Sequence, residues 1–154
     1  MVPPTSPGDF SRILFPTDLT EASDAAAEYA LTMATHYKAR LYVVHTVDTS
    51  GEAAGFYLPH ISFENLDHEM VVNAEKMLDK YCARFFKGLE ECVQEVYLGI
   101  PYEEILKAVE DKDIDLVIMG AFARGRLDHF LFGSTTERVM RKIDRPVLVV
   151  PPRV

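Results

Sequence analysis

LYVVHTV at residues 41–47 is a nearly continuous apolar run that is rich in β-branched side chains. A strand that is apolar on both faces is typical of a parallel sheet covered by helices on both sides. RILF at residues 12–15, stopped by Pro16, and LVIM at residues 116–119, which leads into Gly120, have the same character. Together the three runs predict the buried strands of one sheet.

Two helices are predicted. The first lies between the strands at residues 12–15 and 41–47, and the second lies between those at residues 41–47 and 116–119. The first ends near Tyr37, and Asp18 or Thr20 is its candidate N-cap. The second runs from about Glu64 to Phe86. Apolar side chains recur at three- and four-residue steps in both segments, which places them on a face that packs against the sheet. The positions are Ala22, Ala26, Tyr29, Ala30, Met33 and Tyr37, then Leu66, Met70, Val71, Ala74, Met77, Leu78, Tyr81 and Phe85.

The C-terminal half continues the alternation of strands and helices. VQEVY at residues 93–97 predicts a strand, and Pro101 begins a helix where its missing N–H costs nothing. Ser134 or Thr135 is the candidate cap of the last helix, and PVLVV at residues 146–150 predicts the last strand. This order implies right-handed crossovers. The predicted fold is therefore α/β: a five-stranded, doubly wound, Rossmann-like parallel sheet with helices on both faces.

Length and composition restrict the remaining possibilities. The 154 residues fit a flexible lead-in at residues 1–9, rich in proline, and a single domain at residues 10–154. A net charge of −8 argues against nucleic-acid and anionic-membrane partners, which need a broad basic face. No apolar run spans a bilayer and no signal peptide is evident, so we expect a cytoplasmic location. Cys82 and Cys92 are expected to be reduced thiols.

Two loops at the carboxyl ends of the strands carry chemistry, and ligands bind such sheets at that edge. Asp18 follows the first strand and is able to accept hydrogen bonds from a ribose or to hold a metal ion, although turns and caps also favour aspartate. Gly133-Ser134-Thr135 begins the last helix, where free N–H groups attract a phosphate unless they only form a turn and a cap. Residues 124–145 hold six Lys/Arg and three Asp/Glu, a local excess that favours an anion. His45 is expected to be a hydrogen-bonded strand residue.

These segments resemble the universal stress protein family. The resemblance covers residues 12–48 and 115–151 most clearly, and in pattern nearly all of the chain beyond residue 11. The nucleotide-binding pattern of the family is G-x2-G-x9-G-[ST]. It reads here as Gly120-x2-Ala123-x9-Gly133-Ser134, with an alanine where the family has its second glycine.

The resemblance implies a fold like that of the adenine-nucleotide α-hydrolases and a module that binds ATP, ADP or AMP in stress response or signalling. It implies no catalytic residue and no metal-ligating side chain, although magnesium is expected to accompany ATP because polyphosphate charge needs a counter-ion. It also implies a homodimer through Val147–Val150. The nucleotide-binding positions it carries over are Pro16, Thr17, Asp18, Thr46, Met119, Gly120, Ala123, Arg124, Gly133, Ser134 and Thr135. Asp18 matches the ribose contact, Thr46 lies near the adenine, and Gly133 to Thr135 match the phosphate end.

Two other functions remain open at this point. A dimeric interaction protein with a vestigial nucleotide pocket is consistent with Ala123. The second open function is a slow ATPase, although Asp18 is the only candidate for a general base that the sequence analysis finds. A phospho-acceptor is disfavoured because Tyr97-Leu98-Gly99 stands where such a protein needs an aspartate after its third strand.

The alanine in the motif generates a prediction about affinity. If its position requires a positive φ, the Cβ costs about 1–2 kcal/mol, and about 1.4 kcal/mol is tenfold in affinity. Ala123→Gly should therefore strengthen ATP binding by about tenfold, with a smaller gain for AMP. Titration calorimetry with both nucleotides measures this, and an unchanged ATP affinity would contradict the prediction.

Overall fold

The computed structural model describes residues 8–49, 63–121 and 132–153, with the backbone alone at residues 63–66. In these ranges strands and helices alternate as the sequence predicts. The elements are β1 (Arg12–Pro16), α1 (Asp24–Tyr37), β2 (Arg40–Asp48), α2 (Phe63–Phe85), β3 (Cys92–Gly99), α3 (Pro101–Asp111), β4 (Leu116–Gly120), α4 (Ser134–Lys142) and β5 (Val147–Val150), with a short 3-10 turn at Glu21–Ser23 before α1.

The five described strands form one parallel sheet in the order β3-β2-β1-β4-β5. The chain winds outward from β1 to β3 and then crosses back to β4, so the winding reverses between β1 and β4. Helices α1 and α2 cover one face of the sheet, and α3 and α4 cover the other. The predicted fold class is confirmed, and its reversal point is where such sheets leave a crevice.

Strand β1 explains why the sheet needs helices on both faces. Ile13, Leu14 and Phe15 are all fully buried. Ile13 and Phe15 belong to the apolar cluster with α1 and α2, whereas Leu14 belongs to the opposite cluster. Burial of each such side chain contributes about 1.5–3 kcal/mol. The continuous apolar pattern of the strands therefore reflects two hydrophobic cores that share one sheet.

The predicted helix caps make no side-chain capping bond, although Thr20 is the N-cap residue of the 3-10 turn that leads into α1. Helix α1 begins at Asp24, well after Asp18 and Thr20, and no side chain caps it. The oxygen of Asp18 instead accepts a bond from the Thr20 amide, which stabilises a turn rather than a helix end. The N-cap of α4 is Gly133, so the two residues proposed as caps lie inside the helix.

The predicted apolar helix faces were too wide by one residue each. Tyr29 on α1 is 53% exposed, and Met77 on α2 is 55% exposed. Periodicity places both near the edge of an apolar stripe, where small changes in helix rotation decide burial. Ala26, Ala30 and Leu78, nearer the stripe centres, are buried as predicted.

The remaining sequence expectations have mixed outcomes. Cys82 and Cys92 are free thiols, and their mutual hydrogen bond, together with burial, raises the pKa of Cys82. Most of the predicted lead-in lies outside the described residues, and so do residues 50–62. Within the described ranges, no helix combines the length and the apolar character needed to cross a membrane.

Candidate functional site

A cavity of about 130 Å³ lies at the carboxyl end of the sheet, where β1 and β4 part. The loop after β1, the ends of β2 and β4, and the N-terminal parts of α3 and α4 contribute to its wall. The structure brings seven of the predicted nucleotide-binding residues to this one cavity. They are Pro16, Thr17, Asp18, Thr46, Met119, Gly120 and Thr135.

The other four predicted residues are not among the lining side chains. Gly133 and Ser134 begin α4 directly before Thr135, so they adjoin the cavity without forming its wall. Ala123 and Arg124 lie outside the described residues. The phosphate end of the predicted site is therefore described only at the start of α4.

Asp18 carries the carboxylate of the cavity. Its Oδ1 accepts hydrogen bonds from the Thr20 amide at 2.9 Å and from the Thr20 hydroxyl at 2.6 Å. Its Oδ2 makes no hydrogen bond to any described residue, and the side chain is exposed. One oxygen thus fixes the orientation of the carboxylate, and the other is available to a ligand with hydroxyl donors.

The start of α4 supplies the opposite chemistry. The Gly133 amide donates to the carbonyl of Ala121 at 2.9 Å, and the buried hydroxyl of Thr136 donates to the carbonyl of Gly120 at 2.9 Å. These two bonds tie the helix to the end of β4. The first N–H groups of a helix have no partner within it and carry partial positive charge, so they attract an anion.

His45 lines the cavity, which the sequence prediction missed. Its Nδ1 lies 2.9 Å from the carbonyl oxygen of Thr17, as expected for a hydrogen-bonded strand residue. Because a carbonyl only accepts, Nδ1 carries the proton, which leaves Nε2 as an acceptor in the neutral ring. The Thr17 amide also bonds the carbonyl of Val44 at 2.9 Å, so the loop after β1 is held against β2 by two bonds.

Further cavity residues came from positions without a recognisable motif. Apolar walls are formed by the predicted Met119 and by Val44 and Ile105, which read in the sequence as ordinary core. Ser23 and Thr136 are buried hydroxyls that the sequence analysis assigned no role. They lie at the starts of helices, Ser23 directly before α1 and Thr136 in the first turn of α4, and no sequence pattern marks them as cavity residues.

A wider groove of about 520 Å³ continues from the cavity along the end of β2. It shares Asp18, His45 and Thr46 with the cavity, and α2 forms its far wall through Met70 and Asn73. The exposed Met77 belongs to this wall as well, which explains why it is not packed in the core. Among the described residues, the site therefore extends from the cavity to α2.

The predicted basic region is described only in part, because Arg124 and Arg126 lie outside the described residues. Arg145 is buried and bonds the carbonyl of Ile114 before β4 at 3.0 Å, at the opposite edge of the sheet. Arg141 pairs with Glu137, whereas Lys142 lies over the Tyr102 ring near the other end of α4. These three described side chains therefore have structural partners.

The described residues contain no cluster of three or more His, Cys, Asp or Glu side chains suited to a metal ion. The chemistry brought together in the cavity is instead a free carboxylate oxygen, a helix N-terminus and apolar walls. This combination is suited to a ligand that has hydroxyl donors, a flat apolar part and an anionic group.

Comparison with known proteins relates this architecture to one family. The sequence matches the model of the Universal stress protein family over residues 9–151. Universal stress protein MJ0577 of Methanocaldococcus jannaschii is 30% identical over 157 residues, which cover 92% of this chain and 94% of that protein. The solved structure of MJ0577 has a TM-score of 0.76 at 27% identity, over 95% of this chain and 99% of that one.

Two further solved structures share the fold. Universal stress protein UspA from Lactobacillus plantarum has a TM-score of 0.75 at 26% identity, over 93% of this chain and 99% of that one. A universal stress protein in complex with cAMP has a TM-score of 0.69 at 18% identity, over 95% of this chain and all of that one. At 18% identity, the second likeness concerns the fold alone.

The bond between Thr136 and Gly120 generates a prediction. Thr136→Val removes the hydroxyl and leaves a carbonyl at the end of β4 without that donor, so we expect a loss of about 1 kcal/mol in the free energy of unfolding. Thr136→Ser keeps the donor and should retain most of the stability. Urea denaturation of the three proteins measures this, and a Val variant as stable as the wild type would contradict it.

Proposed function

The chain belongs to the universal stress protein family, and from that membership we propose that it is an adenine-nucleotide-binding module that acts in stress response or signalling. The observation that carries the proposal is that the free oxygen of Asp18 and the start of α4 at Thr135 border one cavity. A nucleotide carries groups that match both, with hydroxyl donors on its ribose and an anion in its phosphate.

Each part of the ligand has a matching part of the cavity in this proposal. The ribose hydroxyls donate to Oδ2 of Asp18, whose Oδ1 is already held by Thr20. The phosphate lies against the first amides of α4, where the helix dipole favours negative charge. The base packs against the apolar side chains near Thr46, because aromatic rings gain most from burial against apolar walls.

The relatives support the same ligand class. One structure that shares the fold is a complex with cAMP, an adenine nucleotide, and the sequence relation to MJ0577 extends over nearly the whole chain. We propose ATP, ADP or AMP as the ligand, with magnesium carried by the phosphates of ATP rather than by a cluster of side chains. Binding without turnover is the proposed activity.

Titration with ATP, ADP and AMP tests this proposal. We expect saturable binding by the wild-type protein and its loss in Asp18→Ala, which removes both the ribose acceptor and the turn that holds it. Asp18→Asn keeps an oxygen for Thr20 but loses the charge and the free acceptor, so we expect binding about tenfold weaker. Titration calorimetry measures the three affinities.

Asp111→Ala is the matched control, since it removes an exposed aspartate at the far end of α3. It should bind as the wild type does. Wild-type protein that gives no saturable heat with any of the three nucleotides would overturn the proposal and favour an interaction protein with a vestigial pocket.

We also propose that two copies of the chain pair through β5. This strand is at the edge of the sheet. The carbonyls of Pro146 and Val150 bond β4, and backbone groups alternate in direction along a strand, so those of Val147 and Val149 point away from the sheet. An apolar edge with unpaired backbone groups is a template for pairing with another strand.

The mass of the protein in solution tests the pairing. We expect light scattering to give a dimer mass at micromolar concentration. Val149→Pro removes one outward N–H and should shift the mass toward the monomer, while circular dichroism verifies that the variant is folded. A monomer mass for the wild type would refute the dimer and leave the nucleotide proposal unaffected.

A further inference from the structure

A cluster of three buried hydroxyls lies beneath the proposed ribose site. The Ser23 oxygen is 2.8 Å from the hydroxyl of Thr17 and 2.8 Å from the hydroxyl of Tyr81. Thr17, Ser23 and Tyr81 are only 6%, 5% and 8% exposed. Tyr81 belongs to α2, 58 residues away from Ser23 in the sequence. A single helix thus reaches under the loop that follows β1.

The carbonyl group of Thr20 determines which hydroxyls in this cluster donate and which accept. Ser23 donates its only hydroxyl proton to the carbonyl of Thr20, at 2.9 Å, because a carbonyl cannot donate. The Ser23 oxygen must then accept from both Thr17 and Tyr81. Burial raises the pKa of Tyr81 to about 12, so this hydroxyl remains a donor at every pH where the protein is studied.

The same bonds lead to the carboxylate of Asp18. Thr20, whose carbonyl accepts from Ser23, donates through its amide and its hydroxyl to Oδ1 of Asp18. The intervening Leu19 has a φ of 66°, a left-handed conformation that is strained for a residue with a Cβ. Its amide donates to the Thr17 hydroxyl at 3.0 Å. The strained turn is held by hydrogen bonds that meet at Ser23 and Thr17.

We propose that Tyr81 is a positioning residue for the nucleotide site: through Ser23 and Thr20 it holds the turn that presents Oδ2 of Asp18 to the ribose. The proposal rests on the proposed function, since it assigns Tyr81 no contact with the ligand. Under this proposal α2 contributes to the site in two ways. Tyr81 supports the turn after β1, and other α2 side chains form the groove wall beside Thr46.

A double-mutant cycle with Asp18 tests the proposal. Tyr81→Phe keeps the ring and removes the hydroxyl, so we expect AMP and ATP to bind about fivefold more weakly. In an Asp18→Asn background, the same substitution should cause little further loss, because the oxygen it positions has already been replaced. A purely structural Tyr81 would weaken binding equally in both backgrounds.

Tyr97→Phe is the matched control. It also removes a part-buried tyrosine hydroxyl that has a hydrogen bond, in this case to Glu95. Tyr97 packs in the cluster on the other face of the sheet and does not line the cavity. We expect a stability loss similar to that of Tyr81→Phe without a change in nucleotide affinity.

Amide hydrogen exchange at Leu19 and Thr20 in the nucleotide-free protein provides a second measurement. Tyr81→Phe should accelerate exchange at both amides, and Tyr97→Phe should not. Wild-type protein that fails to bind nucleotide would overturn the proposed function and this proposal with it. Wild-type binding combined with unchanged affinity in Tyr81→Phe, an equal loss in both Asp18 backgrounds, or unaltered exchange would overturn the proposal about Tyr81 alone.

Discussion

The turn from Thr17 to Thr20 is the constraint on which the site depends. Strand β1 is buried on both faces and ends at the reversal of winding, so the chain has to leave the sheet there and return as α1. It does so through Leu19 in a left-handed conformation that a leucine adopts only when its neighbours compensate. Bonds to Thr17, Asp18 and Ser23 provide that compensation. They also orient the one carboxylate of the cavity.

The sheet and its helices could be predicted from the sequence because their signals are local. Runs such as residues 41–47 and 116–119 are apolar on both faces, and this pattern has few explanations other than a covered parallel sheet. The reversal point then follows from topology, and it places Asp18 and the start of α4 at one edge without knowledge of any contact. That is why so many predicted residues came to one cavity.

The parts that sequence reasoning missed are set by tertiary contacts. Tyr81 reads as one more apolar position of α2, and its hydroxyl acquires a role only because Ser23 packs against it. Arg145 reads as part of a basic region, but burial beside Ile114 directs it to the opposite edge of the sheet. Asp18 and Thr20 have the composition of a helix cap, and the left-handed Leu19 between them makes them a turn instead.

These contacts divide the site into two parts. Asp18 and the start of α4 are held in place by hydrogen bonds, whereas the wall beside α2 has adaptable side chains. The proposed ribose and phosphate ends are formed by groups with buried hydrogen-bonded support, so we expect them to lose little freedom when a ligand binds. The side near α2 is formed by Met70, Asn73 and the exposed Met77, which have flexible or adaptable side chains. We expect the rigid carboxylate and helix end to favour one orientation of the proposed nucleotide. The methionine-rich wall should tolerate differences in the ligand groups that extend past the base. Affinity should therefore depend most on Asp18 and its support, and selectivity among related nucleotides on the wall that α2 contributes.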